Sequence, residues 1–315
     1  MAPIARKIKN DLIYCSARAL MFVIQCLPYS WAGALGRSFG AAIFSLAGGE
    51  RRKTLESIRT AYPEWNHLKV LDLAQNVWKR LGQNLFEVIR WIPMTQEQVV
   101  AQVARVEGWE HLEKALARGK GAVVVTGHLG NWEMLGGYLG RRHPTTAVAK
   151  RLYDNRFDDL VTWMRTEKLK VPMIKRGMAL RGILEALKMN WVIYALVDQD
   201  TGKDGVFVPF FGKPAWTQSG IARIVRKTGA ALVPAFMVRG EDGRFELKVE
   251  KEIHMPMTGD LEADVLEITR RYTEAVEAAV RAYPDQWMWM HRRWKTRPPE
   301  ESQQLEKTEE SRRFA

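Results

Sequence analysis

The chain has 315 residues, a formal net charge of +12 from 48 Lys and Arg against 36 Asp and Glu, and 12 Trp. That length buries one sizeable α/β core plus appendages. Two cysteines without Cys-x-x-Cys spacing exclude a disulfide scaffold and a zinc ribbon. The positive charge calls for an anionic partner, and the tryptophans suit a membrane interface, where the indole ring is amphipathic. A Trp-rich core under a generically basic surface is the plainer alternative.

Arg6, Lys7 and Lys9 open the chain with positive charge. Residues 12–27 are largely apolar, interrupted by Arg18 and ended by Pro28. A second apolar stretch, 31–47, contains Arg37 and several glycines and is closed by Glu50, Arg51, Arg52 and Lys53. Neither stretch reaches the roughly 18–20 uninterrupted apolar residues of a spanning helix. We read residues 1–48 as a helical membrane anchor that dips into a bilayer or spans it with difficulty, its basic flanks favouring the cytoplasmic face. A pair of core helices is the competing reading. A signal peptide is not expected, for want of a small-residue cleavage site. Cys15 and Cys26 are expected to be small buried thiols. The sequence Gly36-Arg37-Ser38-Phe39-Gly40 matches Gly-x-Ser-x-Gly, but no strand precedes it, so it is not a nucleophile elbow.

From residue 49 to 296 the pattern is that of an α/β domain. Residues 68–91 place Leu71, Ala74, Val77, Leu81, Leu85 and Val88 on one helical face. Short buried strands are predicted at 122–126, 145–149, 192–197 and 231–238, alternating with helices near 131–140, 155–169, 178–189 and 217–228. That alternation implies a central mixed, partly parallel sheet flanked by helices. Residues 245–253 alternate like a half-exposed strand. Residues 261–283 form an amphipathic helix, with Val265, Ile268, Tyr272, Val276 and Ala279 inward, stopped by Pro284. The tail, 297–315, is charged and expected to be disordered.

The segment most suited to chemistry is 122–133, AVVVTGHLGNWE. An apolar strand empties into Gly127 and His128, and Gly127 and Gly130 would let a substrate approach the backbone. If Asn131 caps the next helix, Glu133 lies in its first turn and reaches back to fix the imidazole tautomer. No Ser or Cys stands between them, so the nucleophile would come from the substrate. A structural His followed by a capping Glu is the bland alternative.

His-x-x-x-x-Glu after an apolar strand resembles the signature of glycerolipid-type acyltransferases. The blocks TGHLGNWE (126–133), DQDTGKDGVFVPFFGKPAWT (198–217) and YPDQWMWMHRRWK (283–295), with NLFEVIR (84–90) and the pair Arg51-Arg52, resemble the bacterial lipid A secondary acyltransferases over residues 10–296. The departure is at 54–59, TLESIR, where family members often carry Asn shortly after the arginine pair. The resemblance implies a glycerolipid-acyltransferase-like fold. It implies that His128 is general base on the 3-hydroxyl of a lipid A precursor and that Glu133 compensates the imidazolium. It further implies acyl carrier protein as donor, an anionic glycolipid acceptor, and the cytoplasmic face of a bacterial inner membrane. No cofactor and no metal are expected.

The oxyanion of such a reaction needs fixed donors or a cation. The backbone N–H groups near Gly130 and Asn131 are candidates, with Arg165 as the favoured side chain. Lys150 and Arg151 suit phosphate or sugar, or are plain surface charge. Asp198 and Asp200 suit a divalent metal, lipid hydroxyls or nearby Lys and Arg; with no third clustered acid or His, a catalytic metal is disfavoured. Phe210, in the loop with Phe207, Phe211 and Trp216, suits an acyl-chain pocket or the core. Arg292 and Arg293, among Trp287, Trp289 and Trp294, suit headgroup phosphate, nucleic acid or docking against the domain. Nucleic acid is the least favoured partner. Another membrane lipid as acceptor is the alternative within the same chemistry.

Overall fold

The computed structural model describes residues 2–149, 153–175, 177, 179–202 and 204–299. Four helices come first: α1 (Ala2–Cys26), α2 (Tyr29–Leu46), α3 (Gly48–Ala61) and α4 (His67–Trp91). Pro28 separates the first two, because it cannot continue a helix from within. Asn66 starts α4 by accepting from the Lys69 N–H. The glycines of α2 have a packing role. A Cβ on Gly40 would fall 2.0 Å from the Trp78 carbonyl oxygen, and one on Gly82 would fall 2.2 Å from that of Gly36. The backbones of α2 and α4 therefore touch directly.

Among the described residues no helix is long and apolar enough to cross a membrane. Polar interruptions such as Asp11 and Arg18 keep α1 below that threshold, so a spanning anchor is corrected. What α1 does carry is an exposed apolar set: Ile8, Leu12, Ile13, Leu20, Phe22 and Val23. Cys15 and Cys26 are also exposed, against expectation, because α1 buries little beyond Ile24.

The rest is an α/β unit. In chain order it runs α5 (Gln96–Val100), β1 (Val103–Glu107), α6 (Trp109–Leu116), β2 (Ala122–Thr126), α7 (Trp132–Arg142), β3 (Thr145–Ala149) and α8 (Asn155–Trp163). A π-helical turn, Met164–Lys168, extends α8. Then follow β4 (Met173–Lys175), α9 (Ala179–Lys188), β5 (Val192–Leu196), β6 (Gly205–Phe210), β7 (Lys213–Gln218), α10 (Gly220–Thr228), β8 (Ala231–Arg239), β9 (Phe245–Val249) and α11 (Leu261–Ala282). The main sheet has the order β1-β9-β8-β2-β5-β3-β4. β8, β2, β5, β3 and β4 pair in parallel, and β9 turns antiparallel to β8.

Alternate strand residues feed two cores. Val123, Val125 and Ile193 face one shared with α4, α9, α10 and α11. Ala122, Val124 and Val192 face another shared with α6 and α7. This two-sided burial explains why the strands read as continuous apolar runs. The four anticipated strands form, as does a half-exposed β9. β1, β4 and the β6–β7 hairpin are additional. The hairpin occupies what reads in sequence as an aromatic loop, so α10 starts at Gly220 rather than near 217.

Candidate active site

The register of the two central strands builds the site. Ala122 pairs with Val192 and Thr126 with Leu196, in parallel, so both chains leave the same sheet edge side by side. Two residues beyond each strand end stand His128 and Asp198. In an open parallel sheet this carboxyl edge is where ligands bind.

His128 Nδ1 lies 2.8 Å from Asp198 Oδ1, and the His128 backbone N–H donates to Asp198 Oδ2 at 2.7 Å. Trp287 Nε1 donates to the same oxygen at 2.8 Å. Burial favours the neutral acid, but the His128 charge and these donors outweigh it and hold Asp198 down at about 2. An ionised carboxylate only accepts, so Nδ1 carries a proton, and whenever the ring is neutral it is Nε2 that presents the lone pair. The Gln199 amide nitrogen lies 3.4 Å from Nε2. The imidazole is half-buried and meets the Trp132 ring edge-to-face, with centroids 5.2 Å apart.

Glu133 therefore does not orient His128. Asn131 does cap α7, accepting from the Met134 N–H, which puts Glu133 in the first turn. Its carboxylate is instead gripped by Arg165 of the π-helical turn, at 3.0 Å through Nε and through a second bond from Nη2. Burial opposes the charge of Arg165, and Glu133 more than offsets it, so the guanidinium pKa lies above its ordinary value. The reason for the correction is distance along the sheet edge: Asp198 reaches the imidazole from the adjacent strand end, while α7 carries Glu133 toward α8.

A cavity of about 800 Å³ opens beside the Glu133–Arg165 pair; His128 and Asp198 are not among its lining residues, and Trp132, which meets the imidazole, stands between. Gly130, Asn131, Trp132 and Glu133 form its floor at the start of α7. Leu81, Asn84, Leu85 and Val88 of α4 line one wall, and α8 with Arg165 lines another. Its volume falls in the range of small-molecule sites, and its walls are largely apolar with a charged pair at the base.

The anticipated oxyanion donors are engaged elsewhere. The Gly130 N–H donates to the Gln286 carbonyl and the Asn131 N–H to the Met237 carbonyl, each at 2.9 Å. Gly130 has φ +59°, and a Cβ there would lie 1.9 Å from the Met237 carbonyl oxygen. At Gly127 a Cβ would crowd Asp198 at 3.0 Å. The missing side chains of these glycines make room for strand β8 and for the Asp198 carboxylate.

Asp200 is a latch. It accepts from the Gly202 N–H and from both the N–H and the hydroxyl of Thr296. Phe210 is fully buried against Phe211, Trp287 and Trp294 and does not line the cavity. Arg293 is fully buried too, donating to the Trp216 carbonyl and Thr217, so it docks the C-terminal segment rather than gripping a headgroup. Burial lowers its pKa to about 10, despite Asp198 and Asp200 nearby. Arg292 is exposed. Lys150 and Arg151 lie outside the described residues. No group of three potential metal ligands occurs among the described residues.

Sequence reasoning missed the support layer. Arg239 donates to Glu87 at 2.6 Å and to Asn84 at 3.1 Å, and Asn84 donates to the Gly130 carbonyl at 2.7 Å. The block NLFEVIR thus braces the loop after β2. Glu87 on an otherwise apolar helix face was the available signal.

The comparisons with known proteins agree on one family. The family model for bacterial lipid A biosynthesis acyltransferases matches residues 7–296. The chain is 27% identical over 292 residues to a lipid A biosynthesis lauroyltransferase of Escherichia coli K12, covering 91% of this chain and 92% of that one. It is 29% identical to a lipid A biosynthesis palmitoleoyltransferase of the same organism, covering 90% and 89%. It is also 29% identical to a phosphatidylinositol mannoside acyltransferase of Mycobacterium tuberculosis, covering 81% and 80%. With a match across nearly its whole length, this chain belongs to the bacterial lipid A biosynthesis acyltransferase family and is an acyltransferase.

Proposed function

We propose that the enzyme moves a fatty acyl chain from an acyl carrier protein thioester to a 3-hydroxyl of a Kdo-bearing lipid A precursor. The observation that carries this reading is the half-buried imidazole whose Nδ1 is fixed by buried Asp198 and whose ring meets Trp132, a residue that lines an apolar cavity. An alcohol is too weak an acid to attack unaided near neutral pH. Nε2 of His128 takes the hydroxyl proton as that oxygen bonds to the thioester carbonyl carbon. The imidazolium so formed is compensated by Asp198. The tetrahedral intermediate collapses, the C–S bond breaks, and His128 returns the proton to the leaving thiolate. The Arg165 guanidinium, aimed by Glu133, and the positive end of α7 supply the charge that meets the oxyanion or an acceptor phosphate.

The net charge of +12 suits both an acidic carrier protein and a phosphorylated glycolipid. The exposed apolar residues of α1, with Trp31 and Leu35 of α2, support residence on the cytoplasmic face of a bacterial inner membrane. The mannoside acyltransferase relative favours a second reading, in which the acceptor is another anionic membrane glycolipid. Mass spectrometry of lipid A from cells lacking and regaining the protein separates them. A change of one acyl group supports the first reading; an unchanged lipid A pattern rejects it.

A further inference from the structure

The described C-terminal segment beyond α11 does more than close the fold. Its 3₁₀ turn, Pro284–Gln286, leads into a stretch that runs beside the loop carrying His128. Leu129 and Trp287 form an antiparallel bridge. The Met288 N–H donates to the His128 carbonyl at 3.1 Å, and Gln286 accepts from Gly130. The Gln286 side chain is itself clamped, accepting from the Arg239 N–H and donating to the Arg239 carbonyl. Further on, Thr296 holds Asp200, which fixes the other end of the Asp198 loop. The segment is thus bonded to both sides of the His128–Asp198 contact.

Trp287 is its central member. The indole is buried, packed against Phe210 with centroids 5.5 Å apart and against Trp289 at 4.7 Å. Apolar packing alone would be met by Phe at this position. The nitrogen, however, points at Asp198 Oδ2, leaving Oδ1 to face the imidazole. We propose that Trp287 is a positioning residue of the acyltransferase: its N–H locks the rotation of the Asp198 carboxylate and shares its charge, which sets the tautomer and basicity of His128. This rests on His128 being the general base. The other titratable and charged groups around the pair are His291, Arg293 and Asp200, with Tyr194 behind Asp198.

The direction of the effect follows. Without the indole donor, Asp198 keeps only the two His128 contacts and its negative charge is less dispersed. It then holds the Nδ1 proton more tightly and stabilises imidazolium, so the histidine pKa rises. Trp287→Phe removes the donor and keeps a ring. Trp287→3-benzothienylalanine keeps the full bicyclic shape, with sulfur in place of N–H, and guards against a packing defect.

The full-length enzyme is labelled with ¹⁵N-histidine and the ring of residue 128 is titrated by NMR, which needs no substrate. Both variants are expected to raise that pKa by about half a unit or more. With an acyl-acyl carrier protein donor and a Kdo-bearing lipid A precursor, kcat falls about tenfold, KM holds, and the acidic limb of the rate profile moves up with the NMR value. In an Asp198→Asn background the same substitutions add little. An unmoved His128 titration in the benzothienyl variant overturns the proposal, as does a full additional loss in the Asp198→Asn background. His128→Ala tests the underlying reading separately. If that variant keeps acyl transfer, the general base is wrong; if it loses transfer while the benzothienyl variant behaves as wild type, only the role of Trp287 is wrong.

Discussion

The two halves of the site are built by different physics. On the sheet side, His128 and Asp198 sit on adjacent parallel strand ends, under a C-terminal segment bonded to both. On the helix side, Arg165 lies in a π-helical turn that extends α8, a helix with no fully buried residue among those described. α8 also meets α1: Arg156 bonds Asp11 at 2.7 Å and covers the Tyr14 ring, and Tyr14 meets Phe157. The difference teaches where precision is required. The proposed proton transfer would tolerate little displacement, and the two groups assigned to it are over-determined. The helix side, to which the proposed reaction assigns the lipid chain, is held by half-exposed contacts that rearrange at low cost.

The sharpest way to break this contrast is to remove the proposed base. His128→Ala should cut kcat by roughly 10²–10⁴ while the thermal midpoint stays near wild type. Full activity would remove the sheet side from the chemistry. Asp198→Asn comes next, with roughly 10²-fold or greater loss in kcat and little change in KM, read by steady-state kinetics. Arg165→Ala should cost roughly 10²–10³ in kcat and also raise KM, whereas Glu133→Gln, which keeps one hydrogen-bonding oxygen, should do less. If Glu133→Gln equals Asp198→Asn in its pH profile, the division between the two sides is wrong.

Smaller effects test the exposed apolar face of α1. Replacing any one of Leu12, Phe22 or Val23 with Glu should weaken binding to anionic phospholipid vesicles by about tenfold, with the fold unchanged by circular dichroism. Undiminished sedimentation with vesicles would show that α1 does not touch lipid. The smallest effect concerns acid stability. Asp198 sits near 2 in the fold, below the roughly 3.9 of an unfolded Asp. Its contribution is full above about pH 4 and is lost as pH falls through about 2. Asp198→Asn should flatten that part of a denaturation–pH curve, which urea titration at several pH values would show.

The sequence shows His128 and the capped start of α7 plainly, because strand, glycine, cap and helix follow one another locally. It does not show the partner of His128. Asp198 lies 70 residues away, and only the crossover that places β5 beside β2 brings it there. Nor does it show the β6–β7 hairpin. Its two turn residues, Phe211 and Gly212, have φ of +53° and +70°, and Phe is a rare occupant of that region. Phe211 is held there by its N–H bond to Glu277 and by Arg281 over its ring, both from α11. Arg293 reads as a surface cation beside Arg292, yet one faces water and the other a closed interior. A pair of like residues carries no sign of which is which until the hairpin supplies acceptors for one.

The position of the thiols has a practical consequence. The chain has two cysteines in 315 residues, and both stand on the outward side of α1. A maleimide reagent applied to the unmodified enzyme therefore reports the surroundings of that helix alone. Protection of those sulfurs by added vesicles, reversed on dilution, would show whether α1 meets a bilayer, without altering a single residue.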